Sequence, residues 1–202
     1  MVAVGVFVSV ASPAAAQRPE QPIGRFVADA RVAFPKLGAE PGVATGLGVP
    51  VSSLPGRGLG IDADAHWYPV RTRLITFGLG AGVLLSRGRQ APAGGTPVET
   101  RFSAVPPQIS LNFGHRQGWS YLSGGMWQAK ITHAIGDGVP APETPAAKTI
   151  NYGGGARWFT NDHLAVSIDV RFYAINPQLD APPVPARPRL TLLVISIGAA
   201  FR

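Results

Sequence analysis

The sequence predicts an all-β chain folded as an eight-stranded antiparallel up-and-down transmembrane β-barrel, and three observations carry the expectation. Eight separate segments place apolar residues at every second position, a period that gives two distinct faces only in an extended strand. Each segment is close to the ~9 to 11 residues a tilted strand needs to cross a bilayer. The connections alternate short and long, as in a meander. An even strand count allows closure, which hydrocarbon demands, because an open sheet edge leaves backbone groups unpaired at several kcal/mol each.

The segments follow in chain order. Strand one, Ile23 to Phe34, sets Phe26, Ala28, Ala30, Val32 and Phe34 against Val27, Asp29, Arg31 and Ala33. Residues 35 to 57, rich in Gly and Pro, are too long for a hairpin turn and form the first long loop. Strand two, Leu59 to Tyr68, sets Leu59, Ile61, Ala63, Ala65 and Trp67 against Asp62, Asp64 and His66. After a turn at 69 to 73, strand three, Leu74 to Leu85, turns Gly78, Gly80 and Gly82 inward, where they leave room for larger neighbours. The second loop is 86 to 100. Strand four, Phe102 to Phe113, sets Ile109, Leu111 and Phe113 against Gln108, Ser110 and Asn112. Pro106 and Pro107 interrupt it, and a ladder without two donors predicts a bulge or a position above the membrane band.

Strand five, Trp119 to Lys130, follows a turn at 114 to 118 and puts Trp119, Tyr121, Trp127 and Ala129 on one face. Aromatics near both strand ends suit interfacial girdles. The third loop is 131 to 147. Strands six and seven form the hairpin Asn151 to Tyr173, with the polar turn Thr160, Asn161, Asp162 between its limbs. In its second limb Leu164, Val166, Ile168, Val170 and Phe172 alternate with Ala165, Ser167, Asp169, Arg171 and Tyr173. A fourth loop, 176 to 188, leads to strand eight, Leu190 to Arg202, in which Leu193, Ile195, Ile197, Ala199 and Phe201 share a face.

The run YGGGARWFTNDHLAVSIDVR within that hairpin, above all Gly153 to Arg157 and His163 to Arg171, resembles the outer-membrane β-barrel domain family. These are small eight-stranded barrels with the architecture of the outer membrane protein A transmembrane domain. The resemblance implies a barrel in the cell outer membrane of a Gram-negative-type bacterium, in contact with outer-membrane lipid. It also implies delivery to the barrel-assembly machinery through a C-terminal strand with a near-terminal aromatic, here Phe201 before Arg202. It implies little about activity.

Composition agrees with one such domain. Of 202 residues, 25 are Gly and 20 Pro, gathered between the alternating segments and so marking loops. Charged residues make up 14%, against about a quarter in soluble domains, as expected if one face of each strand meets lipid. With no Cys, disulfides and thiolate metal sites are excluded. The net charge of +7 is spread without a basic run or interleaved aromatics, so no nucleic-acid partner is expected, and attraction to anionic lipid headgroups fits better. Residues 1–16, apolar and ending in Ala14, Ala15 and Ala16, read as a secretory signal peptide without the usual basic start. The barrel domain is then 17–202, and a monomer is expected.

The inner face is expected to hold a lumen charge network of Asp29, Arg31, Asp62, Asp64, His66, Arg157, Asp169 and Arg171. An eight-stranded barrel is only wide enough for side chains to fill, so these groups read as salt bridges rather than as a metal site or a proton path. The spacing of Asp62, Asp64 and His66, about 6 to 7 Å along a strand, is long for a shared ion. The four His residues, 66, 115, 133 and 163, are scattered, and no nucleophile elbow, zincin or P-loop motif occurs. No catalysis and no cofactor are expected. Trp67, Trp119, Trp127 and Trp158 read as membrane-interface aromatics. The expected role is structural or adhesive through the external loops. The alternatives are a soluble lipocalin-like barrel with an apolar ligand inside, or a narrow ion-conducting pore.

Overall fold

The computed structural model describes residues 21–72, 75–137, 141, 143–179 and 186–202. The expected signal peptide at 1–16 lies outside the described residues, as do Leu74 and parts of the third and fourth loops. The strands are β1 (Phe26–Lys36), β2 (Leu59–Arg71), β3 (Thr76–Gln90), β4 (Val98–Ala104), β5 (Pro107–His115), β6 (Gly118–Ile135), β7 (Ala147–Phe159), β8 (Leu164–Ile175) and β9 (Leu190–Phe201). The pairings among the described residues are antiparallel, they join chain neighbours once β4 and β5 are counted as one strand, and β9 returns to β1 through Ala28↔Phe201 to Lys36↔Leu193. That last ladder closes the ring.

Nine segments make eight barrel strands, because β4 and β5 are two halves of one. The pairs Leu84↔Ala104 and Ala81↔Pro107 stand three positions apart on both strands, with two residues between them on each, so the register against β3 runs straight through the break. The proline pair therefore makes no bulge, which removes one of the two alternatives expected for it. Pro106 simply contributes no N–H while its carbonyl still accepts from Gly82 N–H at 3.2 Å. The register shift occurs instead in β2, between Trp67↔Leu79 and Val70↔Phe77, where Pro69 interrupts the ladder.

Strand lengths depart from the sequence reading at the long-loop end. β3 runs to Gln90 and β6 to Ile135, 15 and 18 residues, so residues 86 to 90 and 131 to 135 extend the wall rather than forming loops. Gly88 and the charged Arg87 and Arg89 look like loop chemistry. In the ladder Arg87 and Arg89 face outward and Gly88 inward.

The lumen is filled in layers. At the short-turn end Ile23, Val27, Tyr68, Trp119, Tyr121 and Ala200 pack together, and Ile23, just before β1, closes the floor. At the long-loop end the packing is Leu84, Phe102, Ile131, Tyr173, Leu192 and Val194. Above it, the first long connection folds back into the mouth. There α1 (Pro41–Leu47) starts at a proline and stops at Gly48 in the left-handed region, φ 67°. Its Val43 and Ala44 are buried with Leu54 against Val98. The charged network lies between these two apolar layers.

Candidate functional site: the charged lumen

Alternation places every charged residue of the site. On β1, Asp29 and Arg31 are buried while Ala28, Ala30 and Val32 point out. β2 contributes Asp62, Asp64 and His66, β7 contributes Arg157, and β8 contributes Asp169 and Arg171. The antiparallel register sets Asp29 opposite Asp64 and Arg31 opposite Asp62, so the β1–β2 pair alone crowds three carboxylates around one guanidinium. The remaining balance comes across the lumen.

Arg157, with no exposed surface, supplies it. Its Nε donates to both oxygens of Asp29 at 3.0 and 3.1 Å, and its Nη2 donates to Asp29 Oδ2 at 2.6 Å. The guanidinium lies 4.3 Å from the Tyr121 ring centre and 5.8 Å from that of Trp119. Arg31 ties three acids together. It pairs with Asp64 at short range, with Asp62 at 3.1 Å and with Asp29 at 3.1 Å, and it donates to Ser167 Oγ at 3.0 Å. Arg171 holds Asp169 through Nε and Nη2 at 3.2 and 3.0 Å and also donates to Asn151 Oδ1 and Ser123 Oγ. Tyr121 joins the two halves by donating to Asp169 Oδ2 at 2.8 Å while accepting from Arg31 at 3.3 Å.

All eight expected lumen residues are thus brought together, each facing inward. Tyr121, Tyr68, Ser123, Asn151 and Ser167 belong to the same network and were not singled out by sequence. Their signal was parity, since Asn151 alternates in phase with Arg157, and Ser167 with Asp169 and Arg171. Glycines make the space. A Cβ on Gly80 would stand 2.5 Å from His66 Cδ2, and one on Gly155 would stand 2.6 Å from the Tyr121 hydroxyl.

Of the four tryptophans, Trp67, Trp127 and Trp158 are exposed on the outer wall, whereas Trp119 is 3% exposed and faces inward. The interface role expected for Trp119 is therefore corrected. Its ring stacks on Phe159 and meets Tyr68 edge-on. The face of β6 that carries Trp119, Tyr121 and Ala129 is the lumen face, with Leu122 and Met126 outward. Trp127 turns out with Met126 and Gln128, beside the Val105–Pro106 break.

Among the described residues, ligand atoms of Asp29, Asp64 and His66 fall within 4.8 Å of one another, close enough to share a cation. The donor chemistry argues against one, because Arg157 and Arg31 already occupy both carboxylates. His66 Nδ1 lies 3.1 Å from Asp64 Oδ1, off the line of a hydrogen bond, and the ring stacks near Tyr68. Four acids face three guanidiniums and one imidazole, a nearly neutral set that suits a buried plug.

The outer wall is the inverse. Phe26, Val32, Phe34, Leu59, Ile61, Phe77, Leu79, Ile109, Leu122 and Ile197 are all exposed, an apolar band on a barrel whose charges point in. This is the fold of the small outer-membrane barrels. Neisserial surface protein A superposes with a TM-score of 0.57 at 12% identity, covering 87% of this chain and 96% of that one. Ail, the attachment invasion locus protein of Yersinia pestis, superposes with 0.53 at 10% identity, covering 89% and 98%. Ail in complex with the heparin analogue sucrose octasulfate gives 0.50 at 9%. No protein-family description matches the chain, and none of the curated proteins compared with it is significantly similar.

Proposed function

We propose that this chain is an outer-membrane barrel with a closed lumen, and that it acts through the surface formed by its long connections, in a structural or adhesive role. The observation that carries the reading is the combination of an apolar exposed wall with a lumen packed from floor to mouth. A soluble ligand-binding barrel has the opposite polarity, with apolar side chains inside and charge outside. In this barrel Arg157, Asp169 and Arg171 occupy the space a ligand would need. A pore is disfavoured for the same reason, since apolar layers lie both above and below the charged network. What remains for interaction is the long-loop end, where α1 and the extended walls of β3, β4 and β6 stand. That one barrel of this fold is named for attachment and invasion supports a surface role for this one.

The reading involves no catalysis, and it places the chain as a monomer in outer-membrane lipid, inserted with the β9 strand as its assembly signal. Heat-modifiable migration tests it. Protein refolded into lipid is expected to run faster unboiled than boiled and to float with liposomes. A mature chain that stays soluble and unfolds in dilute urea would remove the membrane reading.

A further inference from the structure

We propose that the mouth of the barrel binds a single weakly hydrated monatomic anion, of the chloride or bromide kind, held by Arg187 and Gln178 beneath the first long connection. The site goes beyond the surface role and stands on the mouth of the fold alone. The first observation is an arginine without a counter-charge. Arg187 is 6% exposed, and its Nε is buried with no acceptor. Among the described residues no carboxylate lies within ion-pair distance of its guanidinium, and its pKa is pushed down by burial with no acid to raise it. The lumen arginines differ, since Arg31, Arg157 and Arg171 each meet a buried aspartate. A guanidinium cannot shed its proton in a protein, and a buried charge is costly unless it is paired. Arg187 therefore needs an anion that the described residues do not supply.

The second observation is another orphan donor beside it. Gln178 and Arg187 face each other in an isolated antiparallel bridge. Gln178 N–H donates to the Arg187 carbonyl at 2.8 Å, and Arg187 N–H donates to the Gln178 carbonyl at 2.9 Å. Directly opposed residues send their side chains to the same face. Gln178 Nε2 is buried as well and also lacks an acceptor. Two unsatisfied donors on one face, one of them charged, specify an acceptor with negative charge. Water would accept the hydrogen bonds but leave the guanidinium uncompensated.

The third observation is size. Arg187 borders a cavity of about 10 Å³ together with Thr100, His133, Leu54, Ile131 and Leu190. That is room for one water-sized sphere, which a halide fills and a phosphate or sulfate exceeds. The aliphatic part of the lining cannot replace a tightly held hydration shell, so chloride and bromide are favoured over fluoride. The local field is positive, because Arg187 helps to bring the His133 pKa down. Glu40 also borders the cavity, but it is partly exposed and no ion pair joins it to Arg187.

The test is a halide titration of the full chain refolded in detergent micelles, at constant ionic strength, followed by NMR at the Arg187 Nε–H and the Gln178 side-chain amide. Chloride and bromide are expected to shift both signals along one saturating curve, and fluoride to leave them in place. Saturation should also raise the His133 pKa from about 4 to about 5, as an opposite charge a few ångströms away does. Arg187→Gln should abolish the saturable response, and Arg89→Gln, at an exposed pair with Asp137, should keep it. If Arg187→Gln does not refold, as judged by heat-modifiable migration, Gln178→Leu decides: half-saturation should move to about tenfold higher chloride, the loss of one hydrogen bond to a charge. An unchanged curve in the variant that refolds overturns the proposal. So does a wild-type response that is linear in salt or equal for the three halides. A saturable response confined to Glu40→Gln would make Glu40 the counter-charge and would likewise overturn it.

Discussion

Arg157 shows how much of a packed interior can depend on a single side chain. It is fully buried, and its partner Asp29 is buried with it. Replacing Arg157 with Met leaves a carboxylate short of compensation, and one-sided loss of a buried pair costs about 3 to 5 kcal/mol. The expected result is a lower urea midpoint for the refolded barrel. The surface pair Arg116 and Asp162, 3.7 Å apart with Asp162 80% exposed, should by contrast change stability by less than about 1 kcal/mol when Arg116 is made Gln. Gly155→Val should cost at least about 1 to 3 kcal/mol by overpacking, since its Cβ meets first the Ile168 carbonyl oxygen and then the Tyr121 hydroxyl that donates to Asp169. Inward position was legible for the charged residues because charge and parity coincide. It was not legible for Trp119, because tryptophan is at home both in a core and at a lipid interface, and only the Tyr68 and Phe159 rings beside it decide which. Single-tryptophan variants in brominated lipid separate the two environments: Trp67, Trp127 and Trp158 are expected to be quenched and Trp119 to be spared.

At the scale of strands, alternation located every segment of the wall but underestimated how far β3 and β6 rise. Arg87, Gly88 and Arg89 carry the composition of a loop, and the sequence offers no sign that their ladder continues to Val98 and Glu99. The apolar upper lumen was missed for a related reason. Leu84, Phe102 and Leu192 are inward by parity, but apolar residues on both faces of a strand blur the period on which the reading rests. The raised wall contains His133, whose Nδ1 is 2.9 Å from Thr100 Oγ1. Burial, with Arg187 nearby, brings its pKa down to about 4 from 6.5. The folded state thus holds this imidazole neutral while the unfolded chain protonates it below about pH 6.5, so the unfolded state binds more protons in that window and stability falls as pH falls from about 6.5 to 4. Above 6.5 the group contributes no pH dependence. Amide exchange in the β4–β6 ladder near Thr100 and His133 should accelerate across this window in the wild type, and markedly less in His133→Gln.

For the whole molecule, closure and filling are linked. Eight strands leave an interior that side chains can occupy completely, and this chain uses the space in three tiers: aromatic at the floor, charged in the middle, aliphatic and aromatic towards the mouth. The ring and its alternating short and long connections were legible from the period of two. The tiering was not, because it depends on which inward residues share a height, and that follows from register across strands rather than from any one strand. α1 was equally hidden. Its seven residues lie in a Gly- and Pro-rich stretch, and they are helical where Val43 and Ala44 find Leu54 and Val98 to pack against. Single-channel recording in planar bilayers tests the closed lumen most directly, on protein whose insertion is first established by heat-modifiable migration. The packed tiers predict a flat baseline without stable open levels at any voltage the bilayer tolerates. A steady, reproducible conductance from the inserted wild-type barrel would contradict a closed lumen.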